Sequence, residues 1–451
     1  MKKKYKNIFV FGLGLSGESV IKFFLKKNSN IFVWDSNKKK RQKITKKFPK
    51  TKLMKIKNYE WKTIDIIIVS PGISFKHPYL KIPIKLKIPL YRDLEIFSQN
   101  VNKNKVIAIT GTNGKSTAVS LLNHLIRDNQ SKIFVGGNIA PPLLNGIGKI
   151  KFQKYIIELS SFQLESAPTF NSKISILLNI FEDHTDRYKT IREYAQAKKN
   201  IFNIKSKNQY RIIGIDDEYS LKIYRNLKNN KTIPISTNKK IINGISLINK
   251  TIIDNYFKKK SLNLDGIKLK VDFEQNKQNI LLSYTIFNIL NLKITNFLKK
   301  IKTFEGLQHR SEIIYDRNNL KIINNSKATN LSSTIHSIKS YNNIHLIMGG
   351  RLKHKNFKEI FNYKKRINKI YLIGESTDYL KKYLSKEIKC EKCFKISNAL
   401  KKCFINIKNN KKYSTILLAP ACSSFDQYSN FQERGKDFKI HSMKLLKRIS
   451  L

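Results

Sequence analysis

The feature that most constrains this chain is a glycine-rich run, Gly111-Thr112-Asn113-Gly114-Lys115-Ser116-Thr117. The apolar residues 106–109 before it predict a buried strand, and leucine and isoleucine recur at helical spacing over residues 121–126 after it. A glycine turn between strand and helix directs backbone N–H groups and the positive helix end at an anion. Lys115 is expected to reach the terminal phosphates of a nucleoside triphosphate, and the Ser116 hydroxyl is expected to bind Mg²⁺. The two glycines lie closer together than in the usual phosphate loop, so that pattern is met in part. We predict that the chain binds ATP.

The net charge is large, but its distribution is diffuse. The chain has 451 residues with 88 Lys and Arg against 31 Asp and Glu, a formal charge of +57. Such an excess is typical of proteins that bind nucleic acid or an anionic surface. Here the excess is lysine spread along the chain, accompanied by abundant Asn, Ile, Phe and Tyr, whose codons are AT-rich. A nucleic-acid site would concentrate Arg and aromatic residues in one region. We attribute the charge to genome composition and expect no nucleic-acid partner. A nucleic-acid-stimulated P-loop ATPase stays as the alternative from another class.

The cysteine pattern and the apolar runs predict a cytoplasmic protein without membrane insertion. Cys390, Cys393, Cys403 and Cys422 are too few for a disulfide framework in a chain of this length. Cys390 and Cys393 have a metal-ligand or redox spacing, but no second pair lies nearby, so free thiols are expected. The basic, then apolar, first residues imitate a signal peptide, but glycines interrupt the apolar stretch and no cleavage site follows. No apolar run approaches 18 residues.

Strands alternate with helices in three blocks, which indicates an α/β fold with mostly parallel sheets flanked by helices. The length also suggests two to four domains. The first block ends near residue 95, the second starts near residue 105, and the third follows Phe304. A Lys/Asn-rich variable stretch runs from about 237 to 260. The predicted strands are Ile8–Phe11, Ile31–Trp34, Ile66–Val69, runs ending at Glu158 and Asn179, Ile344–Met348, Ile370–Ile373 and Ile416–Ala419.

The first block carries a second glycine turn, residues 12–17, that fits GxGxxG, and Asp35 ends the next strand. This combination is typical of dinucleotide-binding folds, in which the acid binds a ribose. The motif is weak by itself. The same turn serves any nucleotide that carries a pyrophosphate, and a purely structural tight turn is a further alternative.

Two strand ends in the second block carry acidic residues. Glu158 ends one strand and opens a run to Glu165, which puts a carboxylate where a phosphate loop needs a Mg²⁺ ligand. Asn179 to Tyr188 has the same character and adds His184. Mg²⁺ prefers oxygen ligands, and a lone histidine is more often structural.

Taken together, these motifs resemble those of the Mur ligases, in particular the branch that adds D-glutamate. The matching residues extend in order over nearly the whole chain. They are 111–117, 136–139, 158–165, 184–188, 309–310, 326–330 and 420–427. The first run is shared across the family, whereas 161–164 and 420–427 are similar to the D-glutamate-adding branch. Another muramyl ligase is the nearest alternative, and the Gly12-to-Asp35 block argues against a folylpolyglutamate synthase.

The resemblance implies a reaction and a domain order. Such enzymes use ATP to phosphorylate the carboxylate of a UDP-linked substrate, here UDP-N-acetylmuramoyl-L-alanine, and the amine of D-glutamate attacks the acyl phosphate. Because all reactants are anionic, catalysis is expected to rest on positioning and charge neutralisation by two Mg²⁺ ions and lysine. The implied domains are a Rossmann-like, UDP-substrate-binding domain (1–95), a central P-loop domain (96–302) and a Rossmann-like domain that contacts D-glutamate and adenosine (303–451), in a monomer.

The resemblance also implies a site, residue by residue. Lys198 is expected to be carbamylated, which converts an ammonium into an oxygen ligand, and it is identified by the run from Tyr194 to Lys198. The implied catalytic residues are Lys115, His184, Lys198 and Lys327, and the implied metal ligands are Ser116, Glu158, His184 and Lys198. ATP is expected to contact Gly111, Thr112, Asn113, Gly114, Lys115, Ser116, Thr117, Asn276, Asn279 and Arg310. The UDP-linked substrate is expected to contact Leu15, Ser16, Asp35, Ser36, Gly72 and Asn138. D-glutamate is expected to contact Thr329, Lys353, Ser424 and Phe431.

Three positions depart from the family pattern. Asn325 stands where an acid usually precedes the 326–330 run, and residues 273–276 lack the usual glycine and histidine. Lys353 is not preceded by the usual Asp-Gly. None of these departures removes a phosphate or metal ligand, so they bear on nucleoside and amino-acid affinity.

Overall fold

A computed structural model describes residues 5–54, 60–128, 130–184, 187–203, 206–227, 231–353, 355–408 and 413–449. These residues form three β-sheets with flanking helices, which confirms the predicted α/β class. The chain divides into two compact units, Met1–Leu264 with Leu281–Asn291, and Asp265–Ile280 with Leu292–Leu451. The first two sheets belong to the first unit and the third sheet to the second.

The first sheet has the strand order β3-β2-β1-β4-β5 and is parallel throughout. Residues 8–11 and 66–69 are wholly buried, because apolar strands of a parallel sheet are covered on both faces. The order reverses between β1 and β4, where α/β sheets bind ligands. The strands are β1 (Asn7–Phe11), β2 (Asn30–Trp34), β3 (Thr51–Leu53), β4 (Ile66–Val69) and β5 (Leu90–Tyr91), and the helices are α1 (Leu15–Leu25), α2 (Lys38–Lys47), α3 (Lys81–Lys85) and α4 (Asp93–Asn100).

The second sheet has the order β14-β13-β12-β11-β10-β9-β6-β8-β7. Its strands are β6 (Val106–Thr110), β7 (Ile133–Gly137), β8 (Lys154–Glu158), β9 (Ile174–Leu177), β10 (Tyr210–Gly214), β11 (Thr232–Ser236), β12 (Ile245–Ile248), β13 (Thr251–Asp254) and β14 (Lys259–Asn263). Its helices are α5 (Lys115–Ile126), α6 (Ser161–Leu164), α7 (Ile191–Lys199), α8 (Glu218–Arg225) and α9 (Phe273–Ile289). Strands β6 to β12 are parallel, whereas β12, β13 and β14 form an antiparallel extension within and just beyond the Lys/Asn-rich stretch.

The third sheet has the order β15-β16-β20-β17-β18-β19, with only its edge strand β15 antiparallel among the described strands. Apolar clusters cover both of its faces. The strands are β15 (Glu312–Arg317), β16 (Leu320–Asn324), β17 (Ile344–Gly349), β18 (Ile367–Ile373), β19 (Cys390–Phe394) and β20 (Ser414–Leu418). The helices are α10 (Ile294–Ile301), α11 (Leu331–Ile338), α12 (Thr377–Leu384), α13 (Ile396–Lys408) and α14 (Phe431–Ile449). Short 3-10 helices lie at Glu60–Thr63, Pro78–Leu80, Lys103–Lys105, Leu143–Gly146 and Lys358–Arg366.

Several smaller features complete the fold. The predicted boundary between 95 and 96 falls inside α4 and the one between 302 and 303 follows α10, and both stay predictions. All four cysteines are free and buried. Within the described part of the chain, no helix combines the length and the apolar character that crossing a membrane requires.

Candidate active site

The phosphate-type loop between β6 and α5 depends on glycine at two positions. Gly114 has φ = +81°, a conformation that L side chains rarely adopt. A Cβ at Gly111 would lie 2.9 Å from the Cβ of Leu178. No side chain caps the N-terminus of α5, where Thr117 lies partly buried in the first turn. An uncapped helix N-terminus that follows a glycine turn suits an anion.

The segment after β9 holds this loop in place. The Asn179 carbonyl accepts the Thr112 N–H at 2.9 Å, and the Asn179 side-chain oxygen accepts the Asn113 N–H at 2.9 Å. The Thr112 hydroxyl donates to the Phe181 carbonyl at 3.2 Å and accepts the Phe181 N–H at 3.0 Å. Two of the predicted ATP contacts are therefore fixed by the neighbouring strand end.

Ser116, Glu158 and Asn138 form a hydrogen-bonded chain at the carboxyl ends of neighbouring strands. The Ser116 hydroxyl donates to Glu158 Oε2 at 2.5 Å, and the Asn138 side-chain amide donates to Oε1 at 2.8 Å. Glu158 is 2% exposed. A Cβ at Gly137 would lie 2.3 Å from the Glu158 carbonyl, so glycine is needed where β7 approaches β8. The hydroxyl and carboxylate oxygens brought together here are ligands that Mg²⁺ prefers.

Lys115 and Lys198 share one acceptor. Their Nζ atoms donate to the Gly111 carbonyl at 2.7 Å and 2.8 Å, respectively. Lys198 lies on α7, is 1% exposed, and has its Nζ 4.5 Å from the centroid of the Tyr194 ring. Burial, reinforced by the Lys115 charge, lowers the pKa of Lys198 well below its usual value. A lowered pKa favours the neutral amine, which is the nucleophilic form.

His184 lies on the loop between β9 and α7 and packs among aromatic rings. Its backbone is left-handed, with φ = +55°. Its ring centroid lies 4.8 Å from that of Phe162 and 6.1 Å from that of Tyr194. Because Tyr194 also contacts Lys198, its ring links two of the predicted metal ligands, His184 and Lys198. Thr185 and Asp186, which belong to the same motif, lie outside the described residues.

A metal at this site would need ligands beyond the acidic and histidine side chains. In the described ranges, no group of three or more His, Cys, Asp or Glu side chains could hold an ion. Mg²⁺ is commonly held by one or two carboxylates together with substrate phosphates and waters. The Ser116 and Glu158 oxygens therefore fit Mg²⁺ bound together with a nucleotide.

A cavity of about 540 Å³ opens at the strand-order reversal of the first sheet. The structure brings all six predicted UDP-substrate residues to its lining, together with Lys40 and Ile73, which belong to no predicted motif. Lys40 lies on the first turn of α2, five positions after Asp35. Its closeness to Asp35 in the sequence could therefore have indicated that it lines the same cavity. The six are Leu15, Ser16, Asp35, Ser36, Gly72 and Asn138.

Asp35 and the glycines have different tasks in this cavity. Asp35 Oδ2 accepts the Leu13 N–H at 2.8 Å, so its carboxylate holds the glycine turn. A Cβ at Gly17 would lie 2.0 Å from the Gly12 carbonyl, which makes Gly17 a packing requirement. A Cβ at Gly14 would meet nothing within 4 Å, and Gly14 lines the cavity. Gly14 therefore leaves room for a ligand to approach the start of α1.

Arg92 and Arg187 connect the loop after β4, which lines the cavity, to Glu165, which follows α6 beside the second sheet. Arg92 is fully buried and donates to the Ser70 carbonyl at 2.7 Å and to Glu165 Oε2 at 3.1 Å. Arg187 donates to the same Glu165 oxygen at 2.9 Å and to the Ile73 carbonyl at 3.3 Å. Burial lowers the pKa of Arg92 to about 10, and the Glu165 charge opposes that effect. No short sequence motif points to Arg92.

In the second unit, buried Arg434 ties together the loops that carry the remaining predicted residues. Arg434 donates to the Ser326 hydroxyl at 3.1 Å, to the Ser326 carbonyl at 3.0 Å and to the Cys422 carbonyl at 3.1 Å. The Ser326 hydroxyl donates to the Phe431 carbonyl at 2.8 Å. Burial lowers the pKa of Arg434 to about 10. No short sequence motif points to Arg434 either.

Other predicted residues of the second unit lie on these loops or next to them. Lys327 Nζ lies 4.3 Å from the Phe431 ring centroid, and the Thr329 N–H donates to the Lys327 carbonyl at 2.8 Å. Residues 351 and 423 exchange backbone hydrogen bonds of 3.0 Å, which brings the loop of exposed Lys353 beside the loop of buried Ser424.

The predicted adenosine contacts lie on two segments of the same unit. Asn276 and Asn279 are buried on the first part of α9, and Arg310 precedes β15. The Lys327 N–H donates to the His309 carbonyl at 3.1 Å, so the segment of Arg310 adjoins Lys327.

The departures at residues 275 and 325 have structural tasks. The Gln275 amide donates to the Ser340 hydroxyl at 2.6 Å, and the Asn325 amide donates to the Ser337 hydroxyl at 2.7 Å. The amide at residue 325 supplies an N–H donor that an ionised carboxylate lacks.

Comparison with known proteins identifies the class. Residues 6–91 match the Mur ligase MurD-like N-terminal domain, and residues 109–291 match the Mur ligase middle domain. Curated relatives more than 30% identical extend over nearly the whole chain. The chain belongs to the Mur ligases, a family of ATP-dependent ligases.

Several curated relatives share one name, UDP-N-acetylmuramoylalanine--D-glutamate ligase. The protein of Rickettsia bellii is 36% identical over 439 residues, covering 96% of this chain and 97% of the relative. That of Buchnera aphidicola is 36% identical over 454 residues, covering 99% and 98%. That of Wolbachia pipientis is 32% identical over 494 residues, covering 97% and 96%.

Solved structures share the fold. MurF ligase from Thermotoga maritima in complex with ADP has a TM-score of 0.60 at 14% identity and covers 96% of this chain and 98% of its own. UDP-N-acetylmuramate-alanine ligase MurC from the same organism has a TM-score of 0.56 at 16% identity and covers 98% and 100%.

Proposed function

We propose that this protein joins D-glutamate to UDP-N-acetylmuramoyl-L-alanine in peptidoglycan precursor synthesis, using ATP and releasing ADP and phosphate. The observation that carries the proposal is the hydrogen-bonded chain from Ser116 through Glu158 to Asn138. It runs from the phosphate loop to the lining of the first cavity, so one enzyme surface can hold a triphosphate beside a second anionic substrate. The shared name of the relatives supports the choice of D-glutamate.

The cavity suits the uridine diphosphate part of the acceptor. Open space above Gly14 and Gly72 lets a pyrophosphate approach the backbone, and no side chain caps α1. The start of a helix attracts anions, and Lys40 adds a positive charge. Ser36 and Asp35 would contact the nucleoside, and Asn138 would lie near the linked sugar.

The second sheet suits the triphosphate and its metal ions. Ser116, Glu158, His184 and Lys198 would hold Mg²⁺, and we propose two ions. Bound Mg²⁺ supplies positive charge for the phosphate and carboxylate oxygens that react. Lys115 would neutralise the terminal phosphates. The backbone N–H groups of residues 114–117 at the start of α5 would face the triphosphate, and Gly111, Thr112 and Asn113 would line the turn beside it.

Lys198 would act as a ligand after carbamylation. Its amine is buried, and its lowered pKa favours the neutral form. Attack of the amine nitrogen on CO₂, with loss of a proton, gives a carbamate with two oxygens. That change replaces a cation, which cannot bind Mg²⁺, by an oxygen ligand.

The reaction then follows from charge and leaving-group chemistry. The acceptor carboxylate attacks the terminal phosphorus of ATP and displaces ADP. The acyl phosphate carries a leaving group that the free carboxylate lacks. The amine of D-glutamate attacks the carbonyl carbon, and phosphate leaves as the amide forms. Positioned cations such as Lys115 and Lys327 would stabilise the charge that develops in both steps.

The second unit would supply the amino-acid and adenosine contacts. Lys353 would bind a carboxylate of D-glutamate by charge, Ser424 by a hydrogen bond, and Phe431 through its backbone and packing, with Thr329 near the amine. Asn276, Asn279 and Arg310 would contact adenosine. We also propose that the protein acts as a monomer in the cytoplasm.

Phosphate release tests the proposal. The assay uses ATP, Mg²⁺ and UDP-N-acetylmuramoyl-L-alanine, and compares D-glutamate with L-glutamate and other amino acids. We expect release that requires the UDP-linked acceptor and prefers D-glutamate by at least about 100-fold, because a site built for one stereoisomer leaves polar groups unpaired with the other. Release that single-stranded DNA stimulates and that the acceptor does not affect would establish the P-loop ATPase alternative instead.

A further inference from the structure

A cluster of large apolar side chains is exposed beside the first sheet, in the segment between β4 and β5. It consists of Tyr79 (43% exposed), Ile82 (50%), Ile84 (50%) and Leu86 (44%). Four such residues within so short a stretch form a local patch, whereas singly exposed apolar residues are ordinary.

The backbone of this segment explains why these side chains face outward. Leu80 is fully buried and Pro83 is buried, so both anchor the segment from its inner side. The Ile88 N–H donates to the Pro83 carbonyl at 3.0 Å, and the Leu86 N–H donates to the Ile82 carbonyl at 3.0 Å. With two inward anchors and a hydrogen-bonded turn, the remaining apolar residues are held at the surface.

Lysines surround the apolar patch, and acids are missing from it. Lys76, Lys81, Lys85 and Lys87 are all exposed, and the sequence has no Asp or Glu between Asp65 and Asp93. Within the described ranges, none of these four lysines takes part in an ion pair, whereas lysines such as Lys364 and Lys392 are paired with carboxylates. The diffuse charge of the chain is thus locally unbalanced at residues 76–87, which we call the basic-apolar segment.

We propose that the basic-apolar segment adsorbs to the surface of an anionic lipid bilayer. Exposed Ile and Leu can enter the boundary between headgroups and acyl chains while lysines stay with the anionic headgroups. Each lysine near such a surface contributes about a fivefold gain in binding. A protein partner is less well matched, because lysine is depleted from protein–protein interfaces. This is attachment to one leaflet without a spanning helix, and it is independent of the ligase proposal.

Vesicle co-sedimentation with matched charge variants tests the electrostatic part. Vesicles of phosphatidylcholine with 30% phosphatidylglycerol are compared with phosphatidylcholine alone. The variant K81Q/K85Q/K87Q removes three charges from the segment, and K382Q/K386Q/K389Q removes three exposed lysines of the second unit. We expect about a 100-fold loss of partitioning for the first variant and less than about threefold for the control. Equal losses would show diffuse attraction by net charge and overturn the proposal, as would equal binding to the uncharged vesicles.

A fluorescence experiment tests the apolar part. Since all four native cysteines are buried, Leu86→Cys gives a single exposed thiol for an environment-sensitive dye, and Ile242→Cys (Ile242 is 87% exposed) gives the control. Anionic vesicles should shift the emission to the blue at residue 86 and leave it unchanged at residue 242. No shift at residue 86, or equal shifts at both sites, would contradict insertion. A second copy of this chain could also cover the patch. Sedimentation velocity without lipid tests that alternative. A dimer that the variant I82S/I84S/L86S abolishes would overturn the proposal in favour of self-association.

Discussion

The two glycine turns of the first unit have the same strand–turn–helix construction but different charges behind them. Behind the turn at Gly12–Gly17, the Asp35 carboxylate accepts a backbone N–H. At the turn containing Gly111, two lysine side chains donate to one carbonyl. The first arrangement fixes the shape of a turn, and the second brings the Lys115 charge and the buried Lys198 amine to it.

We propose that this difference separates binding from reaction. A turn held by a carboxylate offers backbone N–H groups and a helix start to a pyrophosphate without changing its bonds. A turn with a lysine, a hydroxyl and a carboxylate can stabilise charge that develops during phosphoryl transfer. On this proposal the same strand–turn–helix construction has two functions, set by the side chains around each turn. Four experiments test that conclusion.

The largest expected effect separates Lys115 from Lys40. Lys115→Ala should lower kcat about 1,000-fold, since a positioned cation acts mainly in the transition state. Lys40→Ala should raise KM for the UDP-linked substrate about fivefold and leave kcat unchanged, because we propose that the cavity it lines binds this substrate. Steady-state kinetics with varied acceptor concentration measures both. A loss of kcat in Lys40→Ala as large as that in Lys115→Ala would remove the distinction between the turns.

Arg92→Leu tests the buried network that connects the loop after β4 in the first sheet to Glu165, which follows α6. This change leaves Glu165 with one arginine fewer and removes the guanidinium donor of the Val69 and Ser70 carbonyls. Breaking a buried charge pair should lower the free energy of unfolding by about 3 kcal/mol. Urea denaturation measures it, and Arg351→Leu, which removes an exposed pair with Glu375, is the control with no measurable change expected. A similar midpoint for both variants would show that the buried network is not stabilising.

Within the first turn, Gly17→Ala should lower the stability of the fold, whereas Gly14→Ala should weaken ligand binding. The new Cβ at Gly17 would lie 2.0 Å from a backbone oxygen, so we expect a loss of about 2 kcal/mol in the free energy of unfolding. The new Cβ at Gly14 has open space in the cavity, so we expect nearly native stability with about tenfold weaker binding of the UDP-linked substrate. Thermal unfolding and calorimetric titration measure the two effects. Equal destabilisation by both variants would refute the assignment of Gly14 to the ligand.

The smallest effect concerns the pH dependence of stability. The pKa of Lys198 is lowered in the folded state, so the unfolded chain binds the extra proton between the folded pKa and the ordinary value of 10.5. Unfolding free energy should therefore rise with pH in that window, by at most about 1.4 kcal/mol per pH unit. Lys198→Met should remove this rise in CO₂-free buffer, whereas Lys199→Met should keep it. If the unfolding free energy of Lys198→Met still rises with pH in the same way, the group with the lowered pKa is a residue other than Lys198.

What the sequence predicted well was local. Both glycine turns and their strands follow from short patterns, because a strand end and the following turn position their own side chains. The six residues expected to contact the UDP-linked substrate were implied by the family resemblance. They line one cavity, and their contact with that substrate stays a prediction. Arg92 and Arg434 escaped prediction because they act over 73 and 108 positions, on Glu165 and Ser326. No short pattern carries such pairings.

Two further differences have physical causes. Strands β12 to β14 lie in a segment whose lysines and asparagines hide short apolar runs, and only pairing in the sheet buries Ile245 and Ile252. Asp35 lines the cavity, but the pattern could not indicate that its oxygens also accept the N–H groups of Leu13 and Asn37. Side-chain hydrogen bonding depends on the folded backbone, which a motif describes only in part.

The shared acceptor at Gly111 has a consequence for the shape of the loop. The Gly111 carbonyl accepts from the Lys115 and Lys198 nitrogens at once, so either donor alone can hold the peptide in its orientation. Lys115 can therefore turn toward an incoming triphosphate without releasing the backbone of the turn. A carbamylated Lys198 would still carry one N–H on its nitrogen, so this anchor would persist after the modification.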